Sequence, residues 1–274
     1  LWMYKSFSSY AMPKVRRQRR TFRVPEVDAH PIDHCTLSHT GMAGLVRADA
    51  SLARREGTVT ELRDRLAQGE VILLDGATAT ELQRRGAPMD SLAWSATALL
   101  THPEVVRRVH IDYIEAGADV VITNTFSTAR HVLESAGMGA RVGELNTLAV
   151  RLAREARESS ARDRPVAIAG SMSSMVPLDD RNATPSPDAA RAVYEEQAHW
   201  LAEAGVDLLI LEMMQNVDLT PGAIGAAVGT GLPVWVGWSC KMAPDGSTPM
   251  LLESQDGDTF AQNLDSFLPL GGSA

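Results

Sequence analysis

The segment Glu115-Ala-Gly-Ala-Asp-Val-Val-Ile recurs almost unchanged in kind as Glu203-Ala-Gly-Val-Asp-Leu-Leu-Ile. In both copies a helix-like stretch ends at a glycine and a run of apolar residues follows. A glycine just past a helix takes the left-handed conformation that stops it. An unbroken apolar run reads as a strand buried on both faces, which is the pattern of a parallel sheet. Repeated helix–strand units of this kind fold into a right-handed α/β arrangement with helices over the sheet.

The same pattern extends along the chain. Apolar runs begin at Val71, Val120, Val166, Leu208 and Val234, and helical periodicities surround them, most clearly from Pro103 to Gly117 and from Val142 to Ala153. A shorter helix from Thr60 to Leu66 precedes the first run, and others fall at Tyr194 to Leu201, Ile224 to Val228 and Thr259 to Phe267. Gly137-Met-Gly139 lacks a preceding strand and reads as a helix-terminating turn, not a phosphate loop. The five runs end in Asp75, Asn124 with Thr125, Ser171, Glu212, and Ser239 with Cys240. Any one of these residues could be a cap. Together they read as the mouth of a (β/α) barrel, where ligands bind at the carboxyl ends of the strands. Five units are fewer than such a barrel needs. An open five-stranded sheet therefore stays possible beside the first five units of a (β/α)8 barrel, and the Gly271-Gly272 ending favours the second.

The formal charge of −8 and a pI of about 5.4 argue against nucleic acid as the main partner. Two cysteines, Cys35 and Cys240, cannot form a disulfide framework, and no apolar run is long enough to span a membrane. A cytoplasmic protein is expected. Residues 1–57 read as a basic, disordered extension, with seven Lys and Arg side chains before the first acid, Glu26, and residues 58–274 as the folded part. A transit peptide and an RNA-binding tail are the other readings of that start, and Met42 is an alternative beginning. His30, His34, Cys35 and His39 cluster there in a spacing that matches no standard zinc site. The polar stretch from Pro177 to Asp188 is long for a connection and reads as a functional or mobile loop.

Several stretches, in order and at the right spacing, resemble the homocysteine S-methyltransferase family over about Thr60 to Ser254. They include Leu74-Asp-Gly-Ala-Thr-Ala-Thr-Glu-Leu-Gln-Arg-Arg-Gly86, Trp94-Ser95, Ala118-Asp-Val-Val-Ile-Thr-Asn-Thr-Phe126, Ile168-Ala-Gly-Ser171, Gly205-Val-Asp-Leu-Leu-Ile-Leu-Glu212 and Pro233-Val-Trp-Val-Gly-Trp-Ser239. The resemblance implies a zinc-dependent barrel that moves a methyl group from a sulfonium, betaine or folate-type donor to the homocysteine thiol. It implies that Asp75 and Glu212 hold the amino group of homocysteine, with backbone at Gly76 against the amino acid. Asn124 and Thr125 then help to shape the pocket. It also implies three zinc cysteines, in Gly-x-Asn-Cys and Gly-Gly-Cys-Cys elements, and neither element occurs here.

On this reading the two carboxylates lie close enough to share one ammonium, and at least one has a raised pKa. The chain then represents a barrel truncated before its zinc ligands. It retains little zinc and exposes sheet edges that favour association, so an oligomer is possible. A non-catalytic amino-acid-binding protein is the alternative. A Schiff-base aldolase is disfavoured, because Lys241 is the one lysine beyond the basic start and falls after the fifth run. Cys240 reads as a small half-buried residue.

Overall fold

A computed structural model describes residues 50–161, 164–174, 185–254 and 259–271, without the side chains of 50–56. The His30, His34, Cys35 and His39 cluster and most of the 177–188 loop lie outside the described residues. Four strands, β1 (Val120–Ile122), β2 (Ala167–Ser173), β3 (Leu208–Met214) and β4 (Val234–Trp238), form one parallel sheet in that order. Helices α1 (Ala50–Ala67), α2 (Thr78–Arg84), α3 (Ala98–Thr101) and α4 (Pro103–Ala116) precede it. Next come α5 (Arg130–Ser135), α6 (Val142–Ser160), α7 (Pro187–Ala204), α8 (Thr220–Val228) and α9 (Phe260–Phe267). Among the described residues this is an open α/β sheet.

Three expectations need correction. The run Val71 to Leu74 is no full strand: Leu74 alone bridges to Val120, in parallel sense. Among the described residues no strand covers its other side, and Val71 and Leu73 are 71% and 51% exposed. The first helix begins at Ala50, inside the segment assigned to the extension, because a short polar start gave no apolar periodicity to read. Cys240 is exposed, not half-buried. β5 (Cys240–Met242) and β6 (Pro249–Leu251) make an antiparallel ribbon that leaves Cys240 exposed.

The expected helix stops are present. Pro103 stands in the first turn of α4, and Gly117 and Gly205 close α4 and α7 at φ of 108° and 94°. Strand alternation divides the core. Val120, Ala167, Ala169, Leu208 and Ile210 share one sheet face with Leu62 of α1. Ile168, Leu209 and Leu211 pack on the other face against Tyr194 and Leu201 of α7 and Ile224 of α8.

The echoed Asp residues do one job twice. Asp119 accepts the Leu73 N–H at 2.9 Å and pairs with Arg65 and Arg164. Asp207 accepts the Ile168 N–H at 2.7 Å and pairs with Arg157 at 2.7 Å. Each carboxylate sits at the start of its strand and ties down the backbone of the neighbouring one. The repeat is therefore a register lock at the end of the sheet opposite the carboxyl mouth.

One buried group makes stability depend on pH. His110 of α4 is fully buried and neither ring nitrogen has a hydrogen-bond partner among the described residues. Burial holds its pKa down at about 4, against 6.5 for an ordinary histidine. Between those values the unfolded chain binds more protons than the folded one. Stability is expected to fall as pH drops through about 6.5 and to level off below about 4, a loss of about 3 kcal/mol. Urea midpoints of the wild type and His110→Leu across this range test it. Parallel pH profiles for the two proteins would contradict the assignment.

Candidate active site

Asp75 and Glu212 both stand toward the carboxyl end of the sheet, one after the run 71–74 and the other in β3. Asp75 follows Leu74 directly, and its backbone N–H donates to the Val120 carbonyl at 3.0 Å. Its Oδ2 accepts the Ile122 N–H at 2.9 Å. Its Oδ1 is shielded from solvent and has no hydrogen-bond partner among the described residues. Glu212 lies in β3 on the same face as Leu208 and Ile210, and its Oε2 accepts a short hydrogen bond from the Ser171 hydroxyl.

Burial raises Asp75 well above the ordinary carboxylate range; the Ile122 N–H opposes this, and the negative charge of Glu212 adds to it. Burial also raises Glu212, against the pull of Ser171. No salt bridge of the described residues reaches either carboxylate. Asp75 thus feels the negative charge of Glu212, and neither acid has a cationic partner among the described residues.

A bulge lies beside Glu212 in β3. Leu211 pairs with Val236, but Met214 pairs with Trp238, so β3 carries one extra residue across this interval. Met213 takes a φ of 55°, uncommon for a side-chain-bearing residue, and its carbonyl accepts the Ser174 hydroxyl at 2.8 Å. Bulges of this kind re-aim side chains beside functional sites. The other such residue among those described is Trp94 at φ 50°, edge-on to Phe126 at 5.8 Å.

Gly76 is a place where a side chain does not fit: a Cβ there would lie 2.7 Å from the Tyr113 hydroxyl. Asn124 and Thr125 turn inward. Asn124 is 4% exposed, accepts the Ser95 hydroxyl at 2.7 Å and donates to the Ser95 carbonyl at 2.9 Å. Thr125 is fully buried, and its hydroxyl donates to the Ser171 carbonyl at 2.7 Å. Both residues thus serve the frame behind the pair, and an open pocket wall is not what they form. Ser171 is the residue that sequence reasoning left out of the site. Its place at a strand end was visible, but its hydroxyl bond to a neighbouring strand was not.

Other chemistry-bearing groups stand apart. Cys240 and Lys241 lie on the β5–β6 ribbon, where the Lys241 ammonium donates to the Ser254 carbonyl at 3.2 Å. A groove of about 600 Å³ lies on the outer helices, lined by Arg130, Gly143, Glu196 and Trp200 among others, away from the carboxylate pair. Among the described residues, no three His, Cys, Asp or Glu side chains converge to hold a metal.

The family model for homocysteine S-methyltransferase matches residues 72–271. Homocysteine S-methyltransferase 2 of Zea mays is 35% identical over 168 residues, covering 55% of this chain and 50% of its own length. The chain thus spans about half the length of that relative. The crystal structure of the homocysteine methyltransferase MmuM from Escherichia coli, in its oxidized form, superposes with a TM-score of 0.57 at 31% identity. It covers 63% of each chain. The metallated form of MmuM gives a TM-score of 0.56 at 29% identity, over 65% of this chain and 66% of the other. With a parallel α/β sheet, paired acids at its carboxyl end and a family match across most of its length, the chain belongs to the homocysteine S-methyltransferase family.

Proposed function

We propose that this chain holds the amino-acid end of homocysteine in a homocysteine S-methyltransferase, with Asp75 and Glu212 as partners of the ammonium and Gly76 as the close backbone approach. The observation that carries the reading is the Oδ1 of Asp75, shielded from solvent and without a hydrogen-bond partner among the described residues, in a carboxylate that feels the negative charge of Glu212. A primary ammonium has three donors and a positive charge, which meets both needs at once. The sheet is read as part of a (β/α)8 barrel, and the compartment as cytoplasmic.

In the reaction the homocysteine sulfur forms a bond to the methyl carbon. The donor, a sulfonium, betaine or folate-type compound, gives up its own bond to that carbon and leaves with the electron pair. The thiol proton is lost, and the product is methionine. The contribution assigned to this chain is to fix the amino-acid end, so that the sulfur meets the methyl group in a restricted geometry. Zinc, which the family implies, does not fit the described residues: Cys240 is exposed on the ribbon and has no convergent partners. No step is assigned to a metal here. The same observation favours a second reading, a protein that binds the amino acid and transfers nothing.

Calorimetry with L-homocysteine and with 4-mercaptobutanoate, which lacks the amino group, tests the binding claim. Homocysteine is expected to bind and the deaminated analogue to fail. Equal binding of both would refute the carboxylate assignment. Methionine formed from S-methylmethionine in the presence of zinc decides between enzyme and binding protein.

A further inference from the structure

Beyond Ile122, the last residue of β1, the contact with β2 goes on through side chains. The Ser171 N–H donates to Thr123 Oγ1 at 3.2 Å, and the Thr125 hydroxyl donates to the Ser171 carbonyl at 2.7 Å. The two threonine oxygens lie 2.7 Å apart. An N–H only donates and a carbonyl only accepts. The Thr125 proton is therefore spent, and Thr123 gives its own proton to Thr125. These bonds close a ring in which each proton has one place, and all three residues are buried. The Ser171 hydroxyl donates onward to Glu212.

The outer side of this ring is held by two helices. The Thr125 carbonyl accepts the side-chain amide of Gln197 in α7 at 2.9 Å, and the same amide donates to Thr128 Oγ1 at 3.2 Å. Asn146 of α6 donates to the Thr128 carbonyl at 3.1 Å, and its Oδ1 accepts the Thr128 hydroxyl at 2.7 Å. Gln197 and Asn146 are both fully buried. A buried amide costs free energy unless it is hydrogen-bonded. Here two helices each place such an amide on one turn, 125–128, which the Thr128 N–H closes onto the Thr125 carbonyl at 3.2 Å.

We propose that Asn146 and Gln197 are positioning residues for the site at the carboxyl end of the sheet. From α6 and α7 they set the 125–128 turn, the threonine ring passes that setting to Ser171, and Ser171 orients Glu212. The proposal rests on the reading of Glu212 as a partner of the ligand ammonium. Thr125 and Ser171 stand between Gln197 and Glu212 on this route. Buried polar networks of this kind rigidify the elements they join.

Gln197→Met keeps the reach of the side chain and removes its donors. It is expected to weaken L-homocysteine binding about tenfold in calorimetry, the scale of one lost hydrogen bond. In a Ser171→Ala chain, where the route to Glu212 is cut, the same substitution is expected to change affinity by no more than about twofold. Unchanged affinity in the single variant overturns the proposal, and an undiminished loss without the Ser171 hydroxyl overturns the route. Thr125→Ser, which keeps the hydroxyl, is expected to bind as the wild type does, and Thr125→Val to lose about tenfold. Equal behaviour of these two variants would show that the ring is not used.

Hydrogen exchange of the ligand-free chain separates positioning from stability. In Gln197→Met the amides of 123–128 and of Ser171 are expected to exchange about tenfold faster, while the central amides of α6 and α7 keep their rates. Equal loosening of both helices, or no change at Ser171, would make Gln197 merely structural. Should the wild type not bind homocysteine, the function proposed above fails by itself, and the exchange result decides whether the two amides hold Ser171.

Discussion

Glu212→Gln is expected to weaken homocysteine binding about a hundredfold and to raise the melting temperature of the empty chain by a few degrees. The two effects have opposite signs because the same charge is wanted with the ligand and unwanted without it. Loss of one buried charged partner costs about 2–5 kcal/mol of binding, and a hundredfold sits at the lower end of that range. In the empty chain, the amide still accepts the Ser171 hydroxyl but adds no negative charge opposite Asp75. Removing a group whose ionised form is disfavoured by the fold stabilises by about 1 kcal/mol, or roughly 2–4 °C for a chain of this size. Thermal melts with and without homocysteine check both signs. A variant that binds as well as the wild type, or melts lower when empty, would contradict the role.

Arg157→Ala is expected to be the most damaging change at the opposite end of the strands. The Asp207 carboxylate is fully shielded from solvent, and Arg157 is its ion-pair partner at 2.7 Å while also donating to the Val166 carbonyl at 3.2 Å. Breaking a buried pair by removing one member costs about 3–5 kcal/mol, since the remaining charge stays buried. That corresponds to a fall of roughly 10 °C in melting temperature. The matching change Arg65→Ala is expected to cost less, because Asp119 keeps Arg164 and the Arg65 side chain is 24% exposed. Asp207→Asn combined with Arg157→Ala should recover part of the loss. Melting curves of the three variants and the wild type rank these effects, and an Arg157→Ala protein as stable as wild type would refute the lock.

Much of the frame was legible because it rests on local rules. Pro103 and Gly117 bracket α4 by chemistry any sequence displays, and the runs ending at Glu212 and Ser171 fall on real strands. What escaped reading was non-local. Val71 to Leu74 has strand composition, yet pairing needs a partner in register along the run, and Leu74 alone meets one. The β5–β6 ribbon gave no alternating apolar signal, as Cys240, Lys241 and Met242 are all exposed. Within the site, Asp75 and Glu212 were legible as acids at strand ends. Asn124 and Thr125 stand at a strand end too, but their side chains turn to Ser95 and Ser171, which sequence position does not reveal.

The extra residue in β3 separates the pattern of the mouth from that of the walls. Before it, Leu209 and Leu211 alternate with Leu208 and Ile210 as core packing demands. After it, Met214 packs with the Leu209 and Leu211 set, although strict alternation would put it on the other face. Deleting Met213 would therefore restore regular alternation, with Met214 still on the Leu209 and Leu211 side and every residue upstream, Glu212 included, keeping its neighbour. The single extra residue thus absorbs the mismatch between β3 and β4 without disturbing the sheet on either side of it.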